Sequence, residues 1–377
     1  MRSEIKSLTG LRGIAACWVM IGHYFGRFPG NAMVHTVVSH MYVAVDLFMI
    51  LSGFVLAMTY EDRFSPAITA REYVRFVQAR VARLFPLYAL VTAICLLMME
   101  FGVGLNMCDL SLPGIAANFL MVQAWWWPDD SLTGTGWSLS IEWGANLLLP
   151  VFVLLLLRAS NNRAAIVAAG ALLCLVWLSL SQGQVGEDLP LTGAIDWYYV
   201  PNSLIRCGTE FALGMYCWRL RSRAVWTRSL GRTKPLLAVF AGVLVITALP
   251  SLDVMFVILS CCLVIGLSFE QSWLARCLGS AVPRWLGLIS FSIYLLHLPL
   301  LPLKGLLIEL VAGVRPVDSY EVETVFQGVV CMALVLGLST LSFYYFEKPM
   351  QRRLRRLFTS SDAIGKPMVE GQIVPAR

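Results

Sequence analysis

The chain has 377 residues, 58% of them hydrophobic and only 14% charged, with a formal net charge of +6 and a mean hydropathy of +0.71. Those figures exclude a soluble domain, where about 45–50% apolar and about 25% charged residues are usual. They also exclude disorder and any nucleic-acid-binding composition, because the positive charge is distributed by topology, as its placement below makes clear.

A bilayer core about 30 Å thick takes about 20 mostly apolar helical residues to cross. Ten stretches meet that need: 8–26, 39–60, 83–101, 137–157, 164–181, 197–218, 235–250, 252–269, 285–306 and 324–346. The seventh and eighth are short and separated only by the turn at Pro250 and Ser251, which makes a tight helical hairpin or one broken element. The expected fold class is an all-α integral membrane protein with about ten transmembrane helices. An even count puts both termini on one side. Of the 29 Lys and Arg residues, 24 fall in the N-terminal segment, the even-numbered loops and the tail, counting Arg83 at the edge of the third span, while the odd-numbered loops hold only Arg27, Arg315 and, at the edge of the ninth span, Lys304. The positive-inside rule then makes both termini cytoplasmic, in a multi-pass protein of the inner (plasma) membrane.

Other signals are weaker. The ten cysteines sit mostly in apolar runs without a C-x-x-C pair, as small hydrophobes with neither a redox nor a metal role. Ile14-Ala15-Ala16-Cys17 resembles a lipoprotein cleavage site, but Arg12 would interrupt the apolar core of such a signal, so a retained first span is expected. The segment 101–136 is expected as an external loop. Its Trp125 and Trp126 fit either an interfacial aromatic belt or a stacking platform for a sugar.

Ionisable residues inside spans cost about 2.5–3.5 kcal/mol each at a helix centre, so their presence asks for a function or a partner. Arg12 and His23 lie eleven residues apart on the first span. That spacing is close to three turns and puts both on one face, about 16 Å apart. Asp46 in the second span and Glu142 in the fourth are either site residues or buried partners of some Arg or His. Arg206 and Glu210, four apart, are expected to pair with each other. His297 is as compatible with hydrogen bonding and packing as with chemistry. Before the third span, Arg71, Arg75, Arg80 and Arg83 recur at helical spacing as a basic ridge, suited to lipid headgroups or to a phosphate-bearing ligand. No nucleotide-binding glycine motif and no metal-ligand cluster is present.

Six blocks in order then resemble the membrane-bound acyltransferase 3 family. They are Leu8-Thr9-Gly10-Leu11-Arg12-Gly13-Ile14-Ala15-Ala16 with His23, the run Asp46 to Phe54, the run Arg80 to Tyr88, the run Trp137 to Glu142, the run Ser290 to His297, and Tyr345-Phe346-Glu347-Lys348-Pro349. Met49-Ile50 and Trp143 depart from the family's commoner residues, and Trp143 would narrow a cavity. The resemblance covers about residues 5 to 350. It implies an acyltransferase domain over 1–350; composition and charge make 351–377 a basic and then, after Phe358, disordered cytoplasmic tail in which Arg352, Arg353, Arg355 and Arg356 are expected to meet anionic lipid.

It further implies an O-acetyltransferase that moves an acyl group from acetyl-CoA to a hydroxyl of a cell-surface or exported carbohydrate. His23 is expected as the base, with Asp46 or Glu142 orienting it. Arg12, Arg80 and Arg83 are expected to hold the phosphates of the acyl-CoA at the cytoplasmic mouth. Trp125, Trp126 and Trp137 are candidates for the acceptor site. No metal is called for, and the partners are acyl-CoA, the carbohydrate and the lipid bilayer, with no nucleic acid. A transporter or flippase for a lipid-linked glycan is the rival class, since buried Arg, Asp and Glu also mark substrate paths, and a non-enzymatic assembly protein is a third.

Overall fold

The structure, a computed structural model, describes residues 4–25, 32–64, 67–103, 110–125, 131–181, 202–302 and 320–364. Among these every regular element is helical. In chain order they are α1 (Lys6–Phe25), α2 (Ala32–Ser39), α3 (Ala44–Phe64), α4 (Ala70–Glu100), α5 (Leu112–Phe119), α6 (Gly136–Leu147) and α7 (Leu149–Phe152). Then follow α8 (Asn161–Ser181), α9 (Asn202–Arg221), α10 (Ala224–Leu230), α11 (Thr233–Ile246), α12 (Asp253–Leu267), α13 (Trp273–Leu278), α14 (Ala281–Leu296), α15 (Tyr320–Leu341) and α16 (Lys348–Ile364). The basic tail segment is thus helical to Ile364, six residues beyond the point where the sequence suggests order ends.

Local chemistry sets several of these boundaries. Thr69 caps α4 by accepting a hydrogen bond from the backbone N–H of Glu72, in a Thr-x-x-Glu pattern typical of helix starts. Ser111 and Ser272 cap α5 and α13 in the same manner. At the entry of α1, Arg284 donates to Glu4 at 2.7 and 3.2 Å, and these hydrogen bonds hold the Glu4 carboxyl below its ordinary range.

By length and hydropathy, four helical runs suffice to cross a membrane: Thr36–Phe64, Ala70–Glu100, Asn161–Ser181 and Val325–Phe358. Two bent pairs, α6 with the run Leu149–Leu157 at 58° and α10 with α11 at 75°, raise the number to six. The ten-span expectation exceeds this for a physical reason. Helices α1 and α9 carry charged and small polar residues along their length, and α12 and α14 have only 15 and 16 residues.

Two helix pairs form the frame. Helix α1 packs on α14, and α3 packs on α9. Each crossing is built on glycine: a Cβ on Gly13 would overlap the backbone of Gly287, and one on Gly287 would overlap Thr9. Likewise Gly53 lies against Phe211, and Gly214 against Ile50. In lipid, where apolar surface gains little by pairing with apolar surface, such close backbone approach supplies the packing energy. Both pairs run parallel, since Arg12 meets Gly287 while Tyr24 meets His297, and Asp46 meets Arg206 while Glu61 meets Trp218.

Several described residues of the stretch expected as an external loop are packed inside the protein. Asn118, Gln123, Ala124, Ser131, Thr133 and Thr135 are all buried. Gln123 donates to the Tyr88 hydroxyl at 2.9 Å, the Leu132 N–H to Asn118 Oδ1 at 3.0 Å, and Thr135 to the Tyr294 carbonyl at 3.0 Å. Helix α6 begins beside Tyr88, partway along α4.

Candidate functional site

Arg12 on α1 extends to α14, where it donates to the Gly287 carbonyl at 3.0 Å, and its buried Nε has no partner among the described residues. On α4, Arg80 donates to Glu142 Oε1 at 3.2 Å, and the Ser52 hydroxyl donates to the same oxygen at 2.8 Å. Half-buried Arg83, one turn beyond Arg80, makes no hydrogen bond among the described residues. The charges of Arg83, Glu142 and Glu347 all act on Arg12, and those of Glu142, Arg83 and Arg355 on Arg80. Three guanidiniums and two carboxylates therefore share one neighbourhood, to which α1, α4, α6 and the end of the α15 run each contribute.

Glu347 stands in one of the six family blocks but was not expected as a site residue. It closes a π-helical turn, Ser342–Glu347, whose wider winding re-aims the residues that follow an α-helix. The turn brings Glu347 Oε2 within 3.0 Å of the donating Ser292 hydroxyl on α14. A carboxylate ending an otherwise apolar run was the signal available for it.

About three turns along α1 from Arg12 lies His23. Its Nδ1 is 3.0 Å from the Val19 carbonyl and 3.1 Å from Nε2 of His297, and the two rings stand 5.0 Å apart between centroids. His297 is fully buried, whereas His23 retains accessible surface. The Tyr24 hydroxyl donates to the His297 carbonyl, and the Tyr294 ring lies 5.9 Å from that of His297. The Tyr294 hydroxyl is 2.7 Å from Ser138 Oγ. Parallel α1 and α14 thus hold a polar element at each end of one wall: Arg12 with the Gly287 carbonyl, and His23 with His297.

Asp46 is placed elsewhere. It accepts from Arg206 Nε at 2.7 Å, and Glu210 Oε1 is 3.4 Å from the same nitrogen, with all three side chains buried. The buried-partner alternative for Asp46 describes this geometry, and the partner is Arg206; the ring contact that His23 makes is to His297, not to Asp46. A second buried network adjoins it. His40 contacts Asp253 at 2.9 Å, Tyr42 donates to the other Asp253 oxygen at 2.9 Å, and the Tyr42 ring lies 5.8 Å from the Arg206 guanidinium. Glu142 pairs with Arg80 and Ser52 and belongs to the arginine neighbourhood.

The tryptophans are anchored in the fold. Trp125 donates its indole N–H to the Ser140 carbonyl at 3.0 Å and lies against Gly144. Trp137 is 8% exposed and packs among Val45, Met49, Ala124, Ile141 and Cys207. Trp126 lies outside the described residues. None of the nine described cysteines is in a disulfide, and among the described residues no group of three or more His, Cys, Asp or Glu side chains could hold a metal ion.

Residues 5–344 match the family described as the acyltransferase domain, acyltransferase 3. Acyltransferase MdmB of Streptomyces mycarofaciens is 28% identical over 321 residues, 78% of this chain and 78% of MdmB. Peptidoglycan O-acetyltransferase OatA of Listeria monocytogenes serovar 1/2a is 23% identical over 393 residues, covering 93% of this chain but only 56% of OatA. Protein 2 in the picA locus of Rhizobium radiobacter is 40% identical over 90 residues, 23% of this chain and 41% of its own length. No solved structure matches the chain.

Proposed function

This chain belongs to the acyltransferase 3 family and is an acyltransferase, and from that premise we propose that it carries an acetyl group from acetyl-CoA to a hydroxyl of a cell-surface or exported carbohydrate. The observation that carries this reading is the two-ended wall of α1 and α14. Arginines gather at one end, and a partly accessible histidine stands about three turns away. Arg12, Arg80 and Arg83 hold the phosphates of the donor, for which forked, permanently charged groups are suited. Glu142 and Glu347 keep those guanidiniums aligned and prevent the cluster from being a bare concentration of positive charge. The pantetheine arm then reaches along the wall toward His23.

A sugar hydroxyl is a poor nucleophile near neutral pH, so its proton must leave as the oxygen attacks. His23 takes that proton. The hydroxyl oxygen bonds to the thioester carbonyl carbon, the carbon–sulfur bond breaks, and the departing thiolate is protonated by the His23 imidazolium. The products are the O-acyl sugar and the free thiol of CoA. Asp46, locked to Arg206, is assigned a structural role, and the acceptor is taken to approach between Trp125, Trp126 and Trp137.

The membrane arrangement proposed is ten crossings of the plasma membrane with cytoplasmic termini. Support comes from the parallel pairing of α1 with α14 and of α3 with α9. The first and ninth crossings share one direction in that topology, and the second and sixth share the other.

The test is release of CoA thiol by protein purified into nanodiscs, supplied with acetyl-CoA and a carbohydrate acceptor. Transfer should require both substrates. His23→Ala should lose the roughly 10²–10⁴-fold that a positioned base supplies, while donor binding persists. Absence of acetyl transfer to any carbohydrate hydroxyl would refute the assignment, and turnover in folded His23→Ala would remove His23 from it.

A further inference from the structure

Both histidines of the α1–α14 wall face backbone carbonyls, and a carbonyl can only accept. His297 Nδ1 stands 3.1 Å from the Ile293 carbonyl, so in the neutral ring the proton sits on Nδ1 and Nε2 keeps its lone pair. That lone pair points to His23 Nδ1 at 3.1 Å. His23 Nδ1 also faces the Val19 carbonyl at 3.0 Å, so two acceptors converge on one nitrogen. Only an N–H at that position satisfies them. The remaining nitrogen of His23, Nε2, has no hydrogen-bond partner among the described residues, and its ring is partly accessible.

We propose that His297 is a positioning residue that fixes His23 as the Nδ1–H tautomer, so that Nε2 is the atom that takes the acceptor's proton. This deepens the reading of His23 as the base and rests on it. His297 is fully buried and cannot touch the acceptor itself. When His23 Nε2 gains the proton, Nδ1–H of the imidazolium still donates to the neutral His297 Nε2, and the charge-assisted bond is stronger than the one it replaces. Nothing else in the pair has to move. His297 in turn is held by the Tyr24 hydroxyl on its carbonyl and by its own helix through Ile293.

The tautomer is read without turnover. The chain has four histidines, so nitrogen-15 histidine solid-state NMR of the protein in liposomes, at a pH where both rings are neutral, is assignable with single-histidine variants. The proposal expects the proton on Nδ1 of both rings and a bare Nε2 on His23. A proton on Nε2 of His23 overturns it. Kinetics supply the second arm. His297→Leu should lower kcat about 10- to 100-fold, part of what a positioned base contributes, with KM for the acyl donor within about twofold of the parent. His297→Gln, whose amide can place an oxygen near the lost Nε2, should recover most of that loss. Undiminished kcat in folded His297→Leu, or equal impairment of the Leu and Gln variants, overturns the proposal. If His23→Ala retains turnover, the assignment of the base fails instead, and the NMR arm still reports the pair; if His297→Leu does not fold, the wild-type spectrum decides.

Discussion

A guanidinium that is 1% exposed within an apolar helical domain is tolerable only when its charge is met at close range. Arg206 meets two carboxylates, Asp46 on α3 and Glu210 on its own helix, while Tyr42 covers its face. Arg206→Met should therefore lose about 3–5 kcal/mol, because it strands two buried carboxylates. Thermal unfolding in detergent should fall accordingly, and adding Asp46→Asn should recover part of the loss. Equal stability of Arg206→Met and the parent would mean that the triad contributes no net stability. The arginines around Glu142 sit in a different situation, since Arg80 and Glu142 keep 13% and 19% side-chain exposure and Arg83 is half-buried. Replacing Arg80 and Arg83 together with Ala should weaken acetyl-CoA binding at least tenfold, measured by isothermal titration, with little change in unfolding temperature. Unchanged donor affinity in the inserted double variant would make the ridge a lipid contact only.

At the scale of helices, the site depends on how closely α1 approaches α14. Gly287 supplies the carbonyl that Arg12 binds, and its missing side chain lets Thr9 come into contact. Gly287→Ala should separate the two helices at a cost of about 1–3 kcal/mol, the range for overpacking a tight contact. It should also lower turnover by more than the loss of folded protein explains, since the separation pulls His297 from His23. Gly337→Ala on α15, where a Cβ meets open space, is the matched control and should behave as the parent in both assays. The apolar runs themselves were legible in the sequence, because composition and length report them directly. The co-facial Arg12 and His23 were legible too, since helical periodicity fixes spacing along one element. Contacts between elements were not: His23 and His297 are 274 residues apart, and nothing in either helix states which neighbour its face will meet. Glu347 was obscured because a π turn breaks the regular periodicity just before it. The burial of Asn118, Gln123, Ser131, Thr133 and Thr135 was hidden by their polarity, which composition assigns to a surface while the fold satisfies part of it internally through Tyr88, Asn118 and Tyr294.

For the molecule as a whole, the distribution of charge and the direction of the helices are independent arguments about topology. The first uses loops and span edges, with 24 Lys and Arg residues on one set and three on the other. The second uses only contacts between helix interiors, which make α1 parallel to α14 and α3 parallel to α9. A single uncounted crossing between the members of either pair would turn that pair antiparallel if both still spanned. In the proposed topology Arg80 and Arg83 fall on the side of the charge-rich loops, where a cytoplasmic donor would be available, and the charge of Arg355 on α16 acts on Arg80 from the same side. The same proposal puts Leu112, 80% exposed at the start of α5, on the opposite side, and Ser229 on α10 among the charge-rich loops. A membrane-impermeant maleimide applied to intact cells should therefore label Leu112→Cys above the parent's background and spare Ser229→Cys until the membrane is permeabilised. Labelling of Ser229→Cys in intact cells would put the 219–234 loop outside, reverse the donor side assigned to the arginines, and overturn the cytoplasmic delivery of acetyl-CoA.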